Sequence, residues 1–184
     1  MEPPGLVADN LRDPGQGNPE RYPLHRQHLD QGPPIGSRRK RGASAQAIGR
    51  SRGGRTTKIH AITDGEGRLF RFALTVGQYS DVKAGYDLAA ALPPKGCLIA
   101  DMAYDALRLR QQLAFQGTAS VIPTNPRHKR KWPIDLERYK ERNLVERMFS
   151  RLKDFRRIAT RYDKLARNYA SAIALVAVVI WWCD

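Results

Sequence analysis

The stretch Tyr139-Lys140-Glu141-Arg142-Asn143-Leu144-Val145-Glu146-Arg147-Met148-Phe149-Ser150-Arg151-Leu152-Lys153 carries two patterns at once. On a helix, at about 100° per residue, Tyr139, Arg142, Glu146 and Lys153 fall within an arc of roughly 60°. Leu144, Met148, Leu152 and Phe155 form an apolar stripe on the opposite side. One face suits packing. The other presents a single carboxylate among cations and a phenol, a composition suited to holding a metal ion against a phosphate backbone.

The surroundings of this stretch are strongly basic. The 184-residue chain carries a formal net charge of +14. Between Arg127 and Arg167, fifteen Lys/Arg face six Asp/Glu, which places +9 in 41 residues. A localised surplus of that size points to a polyanion, most simply nucleic acid. Two cysteines, Cys97 and Cys183, make no disulfide framework, and no Cys/His cluster has zinc spacing. The expected compartment is the reducing cytoplasm, at the nucleoid. The first residues lack the apolar core of a secretory signal. The longest apolar run, Ala170 to Trp182, is 13 residues, short of the roughly 18–20 that span a bilayer. It reads as a buried terminal helix, and no membrane partner is expected.

Upstream, residues 1–37 hold seven of the twelve prolines and five glycines, with neither helical nor strand period. Disorder is expected there. Residues 38–55 form a basic Gly/Ser linker. With Lys58 they make up a segment that is either solvated or a phosphate-contacting arm. From 56 to 184 the pattern is regular. Thr56–Asp64 and Arg68–Val76 read as strands joined at Gly65-Glu66-Gly67, and a helix runs from Ser80 to about Leu92 with Ser80 as its cap. Cys97–Ala100 is a buried strand ending at Asp101. A helix follows from about 105 to 116, with Asp105 as its cap, then a strand at 120–123 and a basic loop at 124–134. Two helices, about 136–160 and 165–182, complete the chain. Strands alternating with helices predict an α/β fold with a mixed sheet flanked by helices.

Asp101 stands where a buried strand gives way to a loop, the place where open α/β sheets gather ligands. Glu146 stands on the polar helix face. Two such carboxylates can hold Mg²⁺ and act on a phosphodiester. Arg142 and Lys153 flank the glutamate, and arginine can grip a phosphate bidentately where lysine acts as a point charge. Tyr139 can orient a phosphate or stack on a base. Each residue also has a bland reading. Asp101 can be a cap, Glu146 a surface ion-pair partner worth under ~1 kcal/mol, and the cations a soluble face. His60, alternating with Ile59 and Ile62, reads as structural.

Several blocks resemble the DDE transposases of bacterial insertion sequences. They are Thr57-Lys58-Ile59-His60-Ala61, the run Leu98-Ile99-Ala100-Asp101-Met102-Ala103-Tyr104-Asp105, the Tyr-x2-Arg-x3-Glu-x6-Lys signature, and Phe155-Arg156-Arg157-Ile158-Ala159-Thr160-Arg161-Tyr162-Asp163-Lys164. The resemblance covers about Gly42 to Trp182. It implies a ribonuclease H-like fold, two Mg²⁺ (or Mn²⁺) ions, and cleavage and transfer of double-stranded DNA at element ends and target, by a homo-oligomer. It makes Asp101 and Glu146 the second and third catalytic carboxylates and metal ligands. Tyr139, Arg142, Lys153, Arg156, Arg157 and Lys58 become DNA-binding or supporting residues.

The first carboxylate of that family lies on the opening strand, in a motif like Ile-Asp-Ser-Thr followed by Ala-His, some twenty residues before Ala47. Here residues 21–39 show no strand pattern, and Asp30 lacks an apolar lead-in, so it is not assigned. The sheet is therefore expected to lack its first strand. Codons compatible with Leu24 to Arg39, read one base later, can spell FIDSTSIKAHRSAAGG. Residues 1 to about 37 thus read as translated out of the transposase frame, with the true frame resuming near Arg38–Gly42. The chain alone is expected to be inactive, acting through a frameshifted fusion with an upstream product, as an interfering fragment, or as a remnant. The competing readings are a metal-dependent nuclease on the same fold and a non-enzymatic basic DNA-binding fragment.

Overall fold

A computed structural model of the chain describes residues 21–30, 46–51 and 54–183. Six strands form one mixed sheet: β1 (Arg21–Asp30), β2 (Gly49–Ser51), β3 (Gly54–Thr63), β4 (Leu69–Val76), β5 (Cys97–Ala100) and β6 (Ala119–Val121). Strand β3 pairs antiparallel with β1 on one side and with both β2 and β4 on the other. Strands β1, β5 and β6 run parallel, so the order across the sheet is β4-β3-β1-β5-β6, with β2 extending the β4 edge. This is the α/β, ribonuclease H-like arrangement expected from the sequence.

Among the described residues the helices include α1 (Asp81–Ala89), α2 (Leu107–Phe115), α3 (Leu136–Tyr139), α4 (Asn143–Lys153), α5 (Arg156–Ala159) and α6 (Ala166–Trp182). They cover both faces of the sheet. Tyr22, Leu24, Ile62, Leu98 and Ala100 pack with Leu88, Leu109 and Leu113 of α1 and α2 on one face. Ile59 and Ala61 pack with Val145, Met148, Phe149 and Leu152 of α4 and Tyr169 and Ile173 of α6 on the other. All four β5 residues are buried, which is why that strand reads as a continuous apolar run rather than an alternating one.

The expectation of a missing first strand is corrected by β1, which lies centrally between β3 and β5. Its sequence concealed it. Pro23 cannot donate to a ladder, and the pattern is interrupted by His25 and Arg26. Yet Tyr22 and Leu24 alternate into the core at 3% and 0% exposure, and the backbone meets partners on both sides. Strand β2 likewise falls inside the segment read as linker. The disorder expected for the remainder of 1–37, and residues 38–45, 52 and 53 of the basic segment 38–55, lie outside the described residues.

Two smaller corrections concern helices. The span expected as one helix over 136–160 is α3, a 3-10 turn at Lys140–Arg142, α4, and then a break at Phe155, whose backbone is extended. The tighter turn rotates α4 relative to α3, so the buried stripe is Val145, Met148, Phe149 and Leu152, while Phe155 is 37% exposed. Ser80 occupies the cap position of α1 as expected, though without a side-chain hydrogen bond, whereas Asp105 does not cap α2, whose cap position is held by Ala106.

The hairpin β3–β4 turns on Asp64, whose Oδ1 accepts from the N–H groups of Glu66 and Arg68 at 2.9 Å each. Gly67 sits at φ +80°, a conformation natural to glycine. His60 is fully buried, with Nδ1 3.1 Å from the Tyr104 hydroxyl and Nε2 2.8 Å from Thr75 Oγ1, a structural role as expected. The Tyr104 ring presses on Gly85, where a Cβ would lie 2.8 Å from Tyr104 Cδ1. Gly85→Ala gains helix propensity of up to ~1 kcal/mol but overpacks a ring that cannot swing away, which costs about 1–3 kcal/mol. The expected net result is a lower urea midpoint with an unchanged m-value.

Candidate active site

Asp101 follows the last residue of β5, at the carboxyl edge of the parallel strands. Its Oδ1 accepts the Ala103 N–H at 2.7 Å, capping the 3-10 turn Met102–Tyr104. Leu24 of β1 pairs with Ala100, so His25 comes beside Asp101, with Nδ1 3.2 Å from Oδ2. Burial pushes the Asp101 carboxyl up. The His25 contact, the Ala103 N–H and the charges of His25 and Arg26 outweigh it and hold the group below the ordinary carboxylate range. Arg26 itself is ion-paired with Asp81 at the start of α1.

Helix α4 brings Glu146 to the same corner. It is anchored over β1 by an ion pair between Arg21 and Glu141 and by the edge-on approach of Phe149 to the His25 ring, centroids 6.4 Å apart. Arg142 Nη2 lies 2.8 Å from Glu146 Oε1, and the Arg142 guanidinium sits 5.9 Å from the Tyr139 ring centroid. Burial raises the pKa of the Tyr139 phenol, Arg142 opposes this, and both Asp101 and Glu146 add to the rise. Tyr139 thus stands within electrostatic reach of both carboxylates. Tyr139, Arg142, Glu146 and Asp101 share a neighbourhood although 38 residues separate Asp101 from Tyr139 in the sequence.

Lys153 and Arg156 are exposed at the far end of α4 and the start of α5. Arg157 is also exposed and is held by Asp163 at 2.9 Å. Lys58 does not fit the expectation of a DNA-facing cation. It is 6% exposed, and its ammonium donates to the Tyr79 carbonyl at 2.7 Å and to Asp81 at 3.0 Å. A long side chain on a strand covered by α1 reaches an internal carboxylate more readily than solvent.

A family model described as a transposase DDE domain matches residues 23–181, from within β1 to the end of α6. The chain belongs to the DDE transposase family. It is 38% identical over 127 residues to a Brucella ovis protein given as a transposase for insertion sequence element IS6501, covering 68% of this chain and 98% of that relative. A Burkholderia cepacia protein given as a transposase for insertion sequence element IS402 is 30% identical over 137 residues, 68% of this chain and 63% of that relative. The chain therefore spans nearly all of one relative and under two thirds of the other.

The divalent ions implied by the family can be tested against this site. Among the described residues, no group of three or more His, Cys, Asp or Glu side chains converges to hold a metal ion. Asp101 is instead flanked from β1 by His25 and by the charge of Arg26. The fixed positive charge of the Arg26 guanidinium opposes a second cation there, and a two-ion centre needs more anionic oxygen than two carboxylates supply. The residues as they stand do not fit a two-metal centre. His25 and Arg26 are the site residues that sequence reasoning missed, because their strand was not legible. No helix among the described residues is long and apolar enough to cross a membrane.

Proposed function

We propose that this chain is the catalytic part of an insertion-sequence transposase, built to cut and join double-stranded DNA at element ends through Asp101 and Glu146, and deficient in that chemistry as it stands. The carrying observation is the contact of His25 with Asp101 at 3.2 Å, on the strand where the family's first carboxylate belongs. In the base-shifted reading of codons 24–39 the aspartate falls at position 26, one residue from His25. The metal-dependent mechanism belongs to that restored sequence. In the present chain Asp101 accepts the Ala103 amide and lies 3.2 Å from His25 Nδ1.

The +14 charge and the exposed Lys153, Arg156 and Arg157 support binding to DNA backbone. Assembly of more than one copy on paired ends is part of the proposal. The outer side of α6, with Leu175 66%, Val178 46% and Trp182 59% exposed, offers apolar surface for it. The purified chain incubated with end-containing DNA and Mg²⁺ is expected to bind and give no joined product. Robust strand transfer would overturn the deficiency. Cutting without joining would favour a nuclease.

A further inference from the structure

We infer that the loop 124–132 is a preformed clamp for the phosphate backbone of duplex DNA, held in shape by the buried carboxylate of Asp105; the inference rests on the reading of the chain as one that acts on DNA. Strands β5 and β6 are parallel, so their carboxyl ends share one edge of the sheet. Asp101 leaves that edge from β5, and the loop leaves it from β6. The loop is therefore a neighbour of the candidate site by topology.

Charge there is one-sided. No Asp or Glu occurs between Asp105 and Asp135, while Arg127, Lys129, Arg130 and Lys131 follow one another within five residues. Residues 126–131 are all exposed. A mere basic linker would leave its backbone to solvent. Here the loop is closed on itself and pinned to the core. Thr124 Oγ1 accepts the Trp132 N–H at 2.9 Å, and Lys131 donates to the carbonyls of Asn125 and Pro126 at 3.1 and 2.7 Å. Asn125 Oδ1 accepts the Arg127 N–H at 3.0 Å.

The pin is Asp105, whose side chain is 2% exposed. Its Oδ2 accepts the Asn125 N–H and lies 2.8 Å from His128 Nδ1, and its Oδ1 accepts Arg110 Nε and Nη2 at 3.0 and 2.8 Å. Arg110 also donates to the Ile122 carbonyl at 2.7 Å. The guanidiniums of Arg110 and Arg130 lie 5.4 and 4.1 Å from the centroid of Trp132. Burial raises the Asp105 carboxyl, but the Asn125 amide, Arg110 and His128 more than offset this and hold it below the ordinary range.

A buried arginine–carboxylate pair is an expensive way to hold a loop that has no task. Cations whose backbone is already ordered lose less entropy on meeting a ligand. A row of exposed cations beside a site for phosphodiester chemistry fits the regular negative charge of a duplex. Asp105 is thus a positioning residue, and Arg127 and Lys129 are the contacts.

The test is fluorescence anisotropy of the full chain on a labelled duplex across a salt series. Arg127→Gln/Lys129→Gln is expected to lower the slope of log K against log salt by about 1.8, two contacts at about 0.9 each. Lys83→Gln/Arg167→Gln, which removes the same charge from α1 and α6, should leave the slope within a few tenths of the parent. His128→Asn keeps Arg110 paired but loosens the loop, and should weaken binding about 2–10-fold while leaving thermal stability nearly unchanged. The inference falls if the loop variant keeps the parental slope, if the α1/α6 variant loses as much, or if the parent shows no salt-dependent DNA binding. An unchanged slope in the loop variant sinks this inference alone, strand transfer by the parent sinks only the proposed deficiency, and absence of DNA binding by the parent sinks both.

Discussion

Replacing Leu24–Arg39 by its base-shifted reading, FIDSTSIKAHRSAAGG, is expected to convert a DNA-binding chain into one that nicks element-end DNA with Mg²⁺. Metal ions contribute several kcal/mol of charge stabilisation in such transition states, and 1.36 kcal/mol is tenfold in rate, so the gain is about 10²–10³-fold. The minimal version is Arg26→Asp with His25→Ile. In the present chain Arg26 is ion-paired with Asp81, and its charge helps keep Asp101 ionised. Exchanging it for a carboxylate sets like charges together near Asp81 and Asp101. That repulsion destabilises the fold until a divalent cation enters. The variant should therefore melt below the parent in chelator and recover with Mg²⁺ or Mn²⁺, by about 2.7 kcal/mol at a hundredfold excess over Kd. The parent should show no such recovery. Glu146→Gln in the restored chain should return nicking to background. If the restored chain folds, binds DNA and yet neither responds to Mg²⁺ nor nicks, Asp101 and Glu146 are not its metal ligands.

What could be read in advance depends on where the signals lie. Strand β5 was legible to the residue because a strand buried on both faces must be apolar throughout, and Cys97–Ala100 is. Helix α6 was legible within a residue from its continuous apolar run, but it is buried along one side only, at Tyr169, Ile173 and Ala177, and not throughout as expected. Asp101 and Glu146 could be proposed together from type and spacing, and their pairing in one site remains part of the proposal. Strand β1 was not legible. Its polar residues and Pro23 satisfy neither period, and only pairing with β3 and β5, a long-range fact, makes it a strand. Lys58 failed for a related reason. A cation looks the same in sequence whether it faces DNA or an internal carboxylate such as Asp81, and only the packing of α1 over β3 decides. Asp105 passed for a helix cap because the residues that claim it, Arg110, Asn125 and His128, are drawn in by tertiary structure.

Arg161→Ala is expected to be the most destabilising single substitution in the chain. The run from Phe155 to Lys164 is part of what makes this sequence resemble its family, and its many cations suggest DNA contacts. Arg161 is 1% exposed and is not one of them. Its guanidinium donates to Thr57 Oγ1 on β3 at 2.6 Å, to the Gln46 carbonyl at 2.7 Å and to the Asp163 carbonyl at 2.9 Å, and lies 5.1 Å from the Tyr169 ring centroid on α6. One side chain thus ties the segment before β2, the central hairpin and the last helix together. Burial pulls its pKa down, opposed by Tyr169 and Asp163, and at an arginine's basicity the charge remains. Removing it strips donors from several buried acceptors and opens a cavity, a loss of about 3–5 kcal/mol. Against a typical total of about 5–15 kcal/mol, that is a chain on the edge of unfolding. Lysine carries the charge but not the planar fork, so Arg161→Lys should recover less than half. Urea denaturation reads the loss as a lower midpoint. The salt slope for DNA, measured cold where the variant is still folded, should not move. A loss under about 1 kcal/mol, or a slope lower by about 0.9, would mean that Arg161 reaches the DNA after all.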